Sequence, residues 1–169
     1  FFRQKRYGKG GTAFTFLKFR TMVVGAEAKS LMTLDRDPRV TRVGRFLRRT
    51  ALDELPQVLN VLWGDMSFVG PRALPLEMHD QATLDEPRFP QRLDAVPGLT
   101  GVAQLYLPRH CPPRRRLRYD LVYIKKAGLW LDIRLMLIAG WNTLTGRWGT
   151  GHRRPEVMTE LESGPGKES

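Results

Sequence analysis

The stretch Thr50-Ala51-Leu52-Asp53-Glu54-Leu55-Pro56-Gln57 runs directly into Val58-Leu59-Asn60-Val61-Leu62. After Trp63 it continues as Gly64-Asp65-Met66-Ser67-Phe68-Val69-Gly70-Pro71-Arg72. Leu55, Val58, Leu59 and Leu62 fall at helical spacing, which predicts a helix. Pro56 is tolerated only in a first turn, so that helix is expected to begin near Asp53 or Glu54. The backbone N–H groups and the dipole at such a start favour an ionised carboxylate. An ionised, positioned carboxylate is what nucleophilic catalysis or metal binding requires. Gly70-Pro71-Arg72 closes the stretch as a turn that aims a fixed positive charge. Taken alone, the acidic pair also has an ordinary explanation. Thr50-x-x-Asp53 has the pattern of a capping box, and first-turn acids stabilise helices.

Composition sets the frame around this stretch. A chain of 169 residues makes one domain, or one domain with a tail. Its hydrophobic content of 41% is enough for a core. The 28 Lys and Arg against 17 Asp and Glu give a net charge of +11, which seeks an anionic partner. Nucleic acid, a phosphorylated small molecule and anionic lipid all satisfy that sign. The single cysteine, Cys111, excludes an internal disulfide. No signal peptide is visible, and no run of about 18 apolar residues spans a bilayer. The longest candidate, Leu135 to Trp141, is short and preceded by Arg134. The chain begins at Phe1 rather than Met, which reads as a fragment with any N-terminal anchor out of view.

Outward from the acidic pair, residues 1 to 22 read as a β-hairpin. Phe1 to Tyr7 is one arm, Gly8-Lys9-Gly10-Gly11 the turn and Thr12 to Met22 the other arm. The glycines could cradle phosphate, but a hairpin turn is their simpler role. Phe14, Phe16, Lys18 and Arg20 share one face of the second arm, where the two cations could grip phosphate or stay solvated. Residues 23 to 34 are expected to be helical, and Asp35 to Arg39 a turn. A basic helix from Gly44 to Arg49 leads into the acidic pair. Residues 76 to 94 are expected to be helical in part, broken at Pro87 and Pro90, and Pro97-Gly98-Leu99-Thr100-Gly101 reads as a turn. The Arg-rich segment 108 to 118 reads as a loop entering a helix over Leu117 to Gly128. An amphipathic helix is expected from Leu129 to Leu144, and a disordered tail from residue 149 to 169.

His79, His110 and His152 are scattered and Cys111 has no partner cysteine, which disfavours a zinc site. Neither a GxxxxGK[ST] loop nor a GxSxG elbow is present. The remaining candidates are Asp53, Glu54, Asp120 and Asp132, with Lys18, Arg20, Arg49 and Arg72. That set suits phosphoryl transfer, where Mg²⁺ and cationic side chains neutralise charge on the transferring group.

An ordered series of motifs over about residues 1 to 145 resembles the bacterial sugar transferases, the monotopic polyprenyl-phosphate phosphoglycosyl transferases. The series runs Phe1-Phe2-Arg3-Gln4 with Arg6 and Gly8, then Lys18-Phe19-Arg20-Thr21-Met22. Asp37-Pro38-Arg39-Val40-Thr41, Gly44-Arg45-Phe46-Leu47-Arg48, the Asp53 to Gln57 run and Gly64 to Arg72 follow. Pro97 to Gln104, Asp120 with Tyr123, and Leu131-Asp132 complete it.

The resemblance implies an α+β domain over residues 1 to 148, built of amphipathic helices with a small N-terminal hairpin and lying on a membrane surface. It implies that Asp53 attacks the sugar-bearing phosphorus of a nucleotide diphosphate sugar, a UDP-sugar by preference, releasing a nucleoside monophosphate. Polyprenyl phosphate then takes the phosphosugar from the aspartyl intermediate, initiating a surface glycan at the cytoplasmic face of the bacterial inner membrane. Glu54 would hold Mg²⁺. Lys18, Arg20, Arg49 and Arg72, with Asp120 and Asp132, would serve the substrates. Such families carry an N-terminal hydrophobic segment that this sequence lacks. Leu105 to His110 stands where they often have a Gly-Arg-Asn-like segment.

Two other classes compete. Arg114-Arg115-Arg116 and Arg118, with Tyr119 and Tyr123, could bind nucleic acid, but no recognised motif accompanies them, so nucleic acid is not an expected partner. A non-catalytic membrane-surface scaffold would have no need of the intact Asp53-Glu54 pair.

Overall fold

The computed structural model of the chain describes residues 1–26, 37–108 and 111–145. β1 (Phe2–Tyr7) and β2 (Ala13–Lys18) form the expected antiparallel hairpin, with Phe2 opposite Lys18 and Arg6 opposite Phe14. Lys9–Gly11 makes one 3-10 turn between them, in which Gly10 and Gly11 take positive φ. Phe14 and Phe16 point inward against Met66 and Ala73.

α1 (Arg42–Arg49) is the expected basic helix. Thr41 caps it by accepting from the Gly44 N–H at 2.9 Å. A Cβ on Gly44 would lie 2.0 Å from the Thr21 carbonyl oxygen, so only glycine lets the helix backbone approach there.

The helix expected to start at Asp53 starts later. Leu52–Glu54 form a 3-10 turn, and α2 (Gln57–Leu62) begins after Pro56, which sits at its cap. Its polarity is reversed relative to a helix facing a core. Gln57 and Asn60 are buried, whereas Leu62 is 75% exposed and Leu55 and Leu59 are also exposed. Asn60 explains the inversion. Its side chain accepts from the Leu17 N–H at 3.1 Å and donates to the Thr15 carbonyl at 2.8 Å. One amide thereby satisfies the open edge of β2 and fastens α2 across it.

Pro97 to Gly101, expected as a turn, contains a strand. β3 (Ser67–Val69) and β4 (Gly98–Thr100) pair in parallel, with Ser67 opposite Gly98 and Val69 opposite Thr100. The pairing is long-range, and no local turn signal reports it. α3 (Leu76–Asp85) ends before Pro87, as expected. Pro90, expected as a second break, instead lies in the first turn of a 3-10 segment (Phe89–Asp94), where its missing N–H costs nothing.

α4 (Val102–Tyr106), α5 (Pro113–Lys126) and α6 (Leu129–Thr145) enclose the main core, in which Val102, Tyr119, Tyr123 and Leu135 pack on Val69. α5 begins at Pro113, so most of the Arg-rich segment is helix rather than loop. Of the helix expected over 23 to 34, residues 23 to 26 form a turn and the rest lies outside the described residues, as does the tail from 149. No helix among the described residues is long and apolar enough to cross a membrane.

Two substitutions test the backbone geometry. A Cβ on Gly98 would lie 2.1 Å from the Gly70 nitrogen. Gly98→Ala should therefore cost about 1–3 kcal/mol or more in denaturant unfolding. Ala51 has φ +55°, a left-handed conformation that costs an L-residue about 1–2 kcal/mol. Ala51→Gly should leave stability equal, or higher by up to about 1 kcal/mol, after glycine's entropy is counted. A loss in Ala51→Gly as large as in Gly98→Ala contradicts the left-handed turn.

Candidate active site

The acidic pair lies in a break between two helices. α1 ends at Thr50, whose hydroxyl donates back to the Phe46 carbonyl at 3.0 Å. Ala51 then turns the chain through its left-handed conformation into the 3-10 turn. The Phe19 N–H donates to the Asp53 carbonyl at 2.9 Å, so the end of β2 holds the turn in place. Lys18 precedes that donor in the chain, and its charge acts on Asp53.

Asp53 is only 9% exposed, and Glu54 is partly covered. Glu54 Oε1 accepts from Arg72 Nη2 at 2.9 Å. Adjacent carboxylates repel, and here their surroundings separate them. Burial, followed by the Glu54 charge, raises the Asp53 carboxyl above the ordinary range, against the pull of Lys18, Arg48 and Arg72. Burial also opposes Glu54 ionisation. The charge and hydrogen bond of Arg72, aided by Arg6 and Lys18, outweigh it and set Glu54 below the ordinary range.

The cations feel the same crowding. Burial, then Arg6 and Arg48, lower Lys18 to about 8, against the pull of Asp53. Burial, then Arg72, lower Arg6 to about 9. Four cationic side chains, Arg6, Lys18, Arg48 and Arg72, thus surround two carboxylates. The surplus of positive charge suits a ligand carrying more than one negative charge.

The expected residues divide into two groups. Asp53, Glu54, Lys18 and Arg72 come together. Arg20 is exposed, with its guanidinium 5.6 Å from the Phe2 ring centre. Arg49 is exposed on the last turn of α1. Its neighbour Arg48 is the residue whose charge reaches Asp53, and Arg48 Nε also donates to Thr21 Oγ1 at 2.8 Å.

Asp120 and Asp132 have protein partners. Asp120 is 2% exposed and its Oδ2 accepts from Arg92 Nε at 2.8 Å. Asp132 Oδ1 accepts from the Tyr123 hydroxyl at 3.0 Å, with the Val69 carbonyl 3.1 Å from the same hydroxyl.

Sequence reasoning gave no role to Arg6, Arg48 or Arg92. Arg6 sits inside the hairpin, its guanidinium 3.5 Å over the Phe16 ring and donating to the Ala73 carbonyl at 2.7 Å. Its place in the motif series that carries the resemblance, as for Arg48, is the signal the sequence offers; its inward direction follows from its pairing opposite Phe14.

The model of the bacterial sugar transferase family matches residues 1–146, a span that holds every side chain of this site. A UDP-glucose:undecaprenyl-phosphate glucose-1-phosphate transferase of Xanthomonas campestris pv. campestris is 43% identical over 147 residues, 82% of this chain and 30% of its own length. A relative of the same name from Caulobacter vibrioides is 44% identical over 142 residues, 80% of this chain and 53% of its own. A UDP-N-acetylgalactosamine-undecaprenyl-phosphate N-acetylgalactosaminephosphotransferase of Aeromonas hydrophila is 39% identical over 149 residues, 86% and 35% of the two lengths. The chain thus spans between 30% and 53% of the length of these relatives. By that match and those identities, the chain belongs to the bacterial sugar transferase family.

Proposed function

We propose that this chain carries the catalytic domain of a phosphoglycosyl transferase. It moves a sugar 1-phosphate from a nucleotide diphosphate sugar, a UDP-sugar by the names of its relatives, to a polyprenyl phosphate in surface-glycan synthesis. The observation that carries the reading is the buried Asp53 beside an Arg72-paired Glu54, ringed by an excess of cations.

A carboxylate oxygen of Asp53 forms a bond to the sugar-bearing phosphorus. The bond from that phosphorus to the bridging oxygen breaks, and the nucleoside monophosphate leaves with the bridging oxygen and its electron pair. An oxygen of polyprenyl phosphate then attacks the same phosphorus. The Asp53–phosphorus bond breaks, and the carboxylate is restored. Lys18, Arg48 and Arg72 lower the repulsion between Asp53 and the phosphates it must approach.

Mg²⁺ fits this donor set in one mode. No group of three or more His, Cys, Asp or Glu among the described residues could cage a metal. Glu54, with Asp53 adjacent, can supply carboxylate oxygens to an ion whose other ligands are substrate phosphates, as Mg²⁺ commonly binds. When bound, the ion would offset charge on the diphosphate. Glu54, kept ionised by Arg72, is the residue that would hold it.

The outward apolar residues of α2, together with Trp63 at 64% exposure, support placement on a membrane surface. Trp130, Leu137 and Trp141 on α6 are also exposed. The basic α1 lies beside α2 in the chain and suits anionic headgroups. A polyprenyl acceptor resides in such a membrane, and the cytoplasmic face is where nucleotide sugars are available to it.

Incubating the full-length protein with the donor alone tests the chemistry. Intact-mass spectrometry should find a phosphosugar adduct that Asp53→Asn abolishes. Glu54→Gln should lower turnover by roughly two to three orders of magnitude. An adduct that persists in Asp53→Asn places the nucleophile elsewhere.

The lowered Lys18 ammonium gives a pH signature. Its folded value of about 8 lies below the ordinary lysine value of 10.5. The unfolded chain therefore holds the proton more tightly, and stability should rise between those two values. Donor affinity should move the opposite way, weakening above about pH 8 as the charge is lost. Lys18→Arg should remove that inflection, and an unchanged profile in this variant contradicts the assignment.

Membrane attachment is read by vesicle co-sedimentation. Binding should rise with anionic lipid and fall with salt, and Leu62→Glu with Trp63→Glu should weaken it. Indifference to both lipid charge and these substitutions contradicts the placement.

A further inference from the structure

Three consecutive carbonyls in the segment that carries Arg72 are each held by a donor from another element. The Gly98 N–H donates to the Pro71 carbonyl at 3.0 Å. Arg92 Nη2 donates to the Arg72 carbonyl at 2.9 Å, and Arg6 Nη1 to the Ala73 carbonyl at 2.7 Å. The middle donor is itself fixed on two sides. Arg92 Nε and Nη2 each lie 2.8 Å from Asp120 Oδ2 on α5, and the guanidinium carbon is 4.9 Å from the Phe89 ring centre. Arg92 and Asp120 are each 2% exposed.

Neither charge is among those acting on Asp53 or Glu54. A purely stabilising role also accounts poorly for the pair. Desolvation of two buried charges largely offsets their attraction, and an apolar pair of similar volume serves stability as well or better. What an apolar pair cannot do is donate to the Arg72 carbonyl.

We infer that Arg92 and Asp120 form a positioning pair for the transferase site. Asp120 orients the planar fork of Arg92, Arg92 pins the Arg72 backbone, and the pinned backbone sets the Arg72 guanidinium against Glu54. The pair touches no substrate, and its effect passes through Arg72. In its kinetic readout this inference rests on the proposed phosphoglycosyl transfer. Its second readout does not.

Arg92→Lys keeps the charge beside Asp120 but replaces a fork that spans two acceptors with a single ammonium. In the full-length protein, kcat for nucleoside monophosphate release should fall about 10²-fold, as a displacement near 1 Å costs at a reacting centre. The donor KM and the unfolding midpoint should hold. The double variant Arg92→Met with Asp120→Leu removes both charges, so it should fold and show the same kcat loss. In an Arg72→Lys background, Arg92→Lys should cost little more, because both act through one side chain. Wild-type kcat in the apolar double variant, or equal losses in both backgrounds, overturns the inference. The second readout is the crystal structure of Arg92→Lys without substrate. The Arg72 guanidinium should be displaced from Glu54, so that the 2.9 Å contact lengthens or is lost, and an unmoved contact overturns the pair's role whatever the enzyme transfers. A wild-type protein that releases no nucleoside monophosphate, with Arg72 displaced in the variant as described, counts against the proposed reaction and leaves the positioning pair standing.

Discussion

The contact between Arg72 Nη2 and Glu54 Oε1, 2.9 Å long, is where two separately built parts of the molecule meet. One part is the break between α1 and α2, which carries the two carboxylates at the end of the hairpin. The other is the segment after β3, whose backbone is held by β4, by the 3-10 segment before it and by the hairpin arginine Arg6. Without that contact, the adjacent carboxylates would compete for a proton. With it, Glu54 stays ionised and the repulsion falls on Asp53, which Lys18 and Arg48 counter. The chemistry proposed for Asp53 therefore depends on a charge set by Arg72, some twenty residues away in the chain.

The second constraint is the inverted polarity of α2. A short helix with Gln57 and Asn60 inside and leucines outside depends on what its buried amides find. Gln57 Nε2 finds no hydrogen-bond partner among the described residues, so Asn60 carries the docking. Asn60 is used fully, accepting from Leu17 and donating to Thr15. That docking leaves Leu55, Leu59 and Leu62 facing outward immediately after the acidic pair. One interaction thus serves two ends. It joins the helix to the hairpin, and it places an apolar surface next to the carboxylates, on the side from which the proposed lipid-linked acceptor would come.

The legible and illegible parts of the sequence differ in a physical way. The hairpin, the basic α1, the end of α3 before Pro87 and the long α6 are local in origin, each set by alternation, propensity or proline. Helical periodicity at Leu55 to Leu62 correctly signalled a helix but not its orientation, because an apolar stripe reads the same whether it faces a core or the outside. The strand over Gly98–Thr100 was hidden because its partner Ser67–Val69 is distant and parallel, while the Pro-Gly pair gives a strong local turn signal. Arg48 and Arg49 are adjacent in a basic run, and only the rotation of α1 decides which one reaches Asp53. Asp120 was expected at the substrates because it is acidic and belongs to the family pattern. Its partner Arg92, 28 residues earlier, carries no motif that would have revealed the pairing.

The central claim is that Asp53 takes the phosphosugar before the lipid does, so that two displacements occur at one phosphorus. The stereochemical course at that atom tests this most directly. A donor made chiral by sulfur at the sugar-bearing phosphorus is turned over by the full-length protein with polyprenyl phosphate, and the configuration of the product is determined. Two in-line displacements each invert the centre, so the account expects net retention. Net inversion would mean a single direct attack by the polyprenyl phosphate, and would contradict the role given to Asp53.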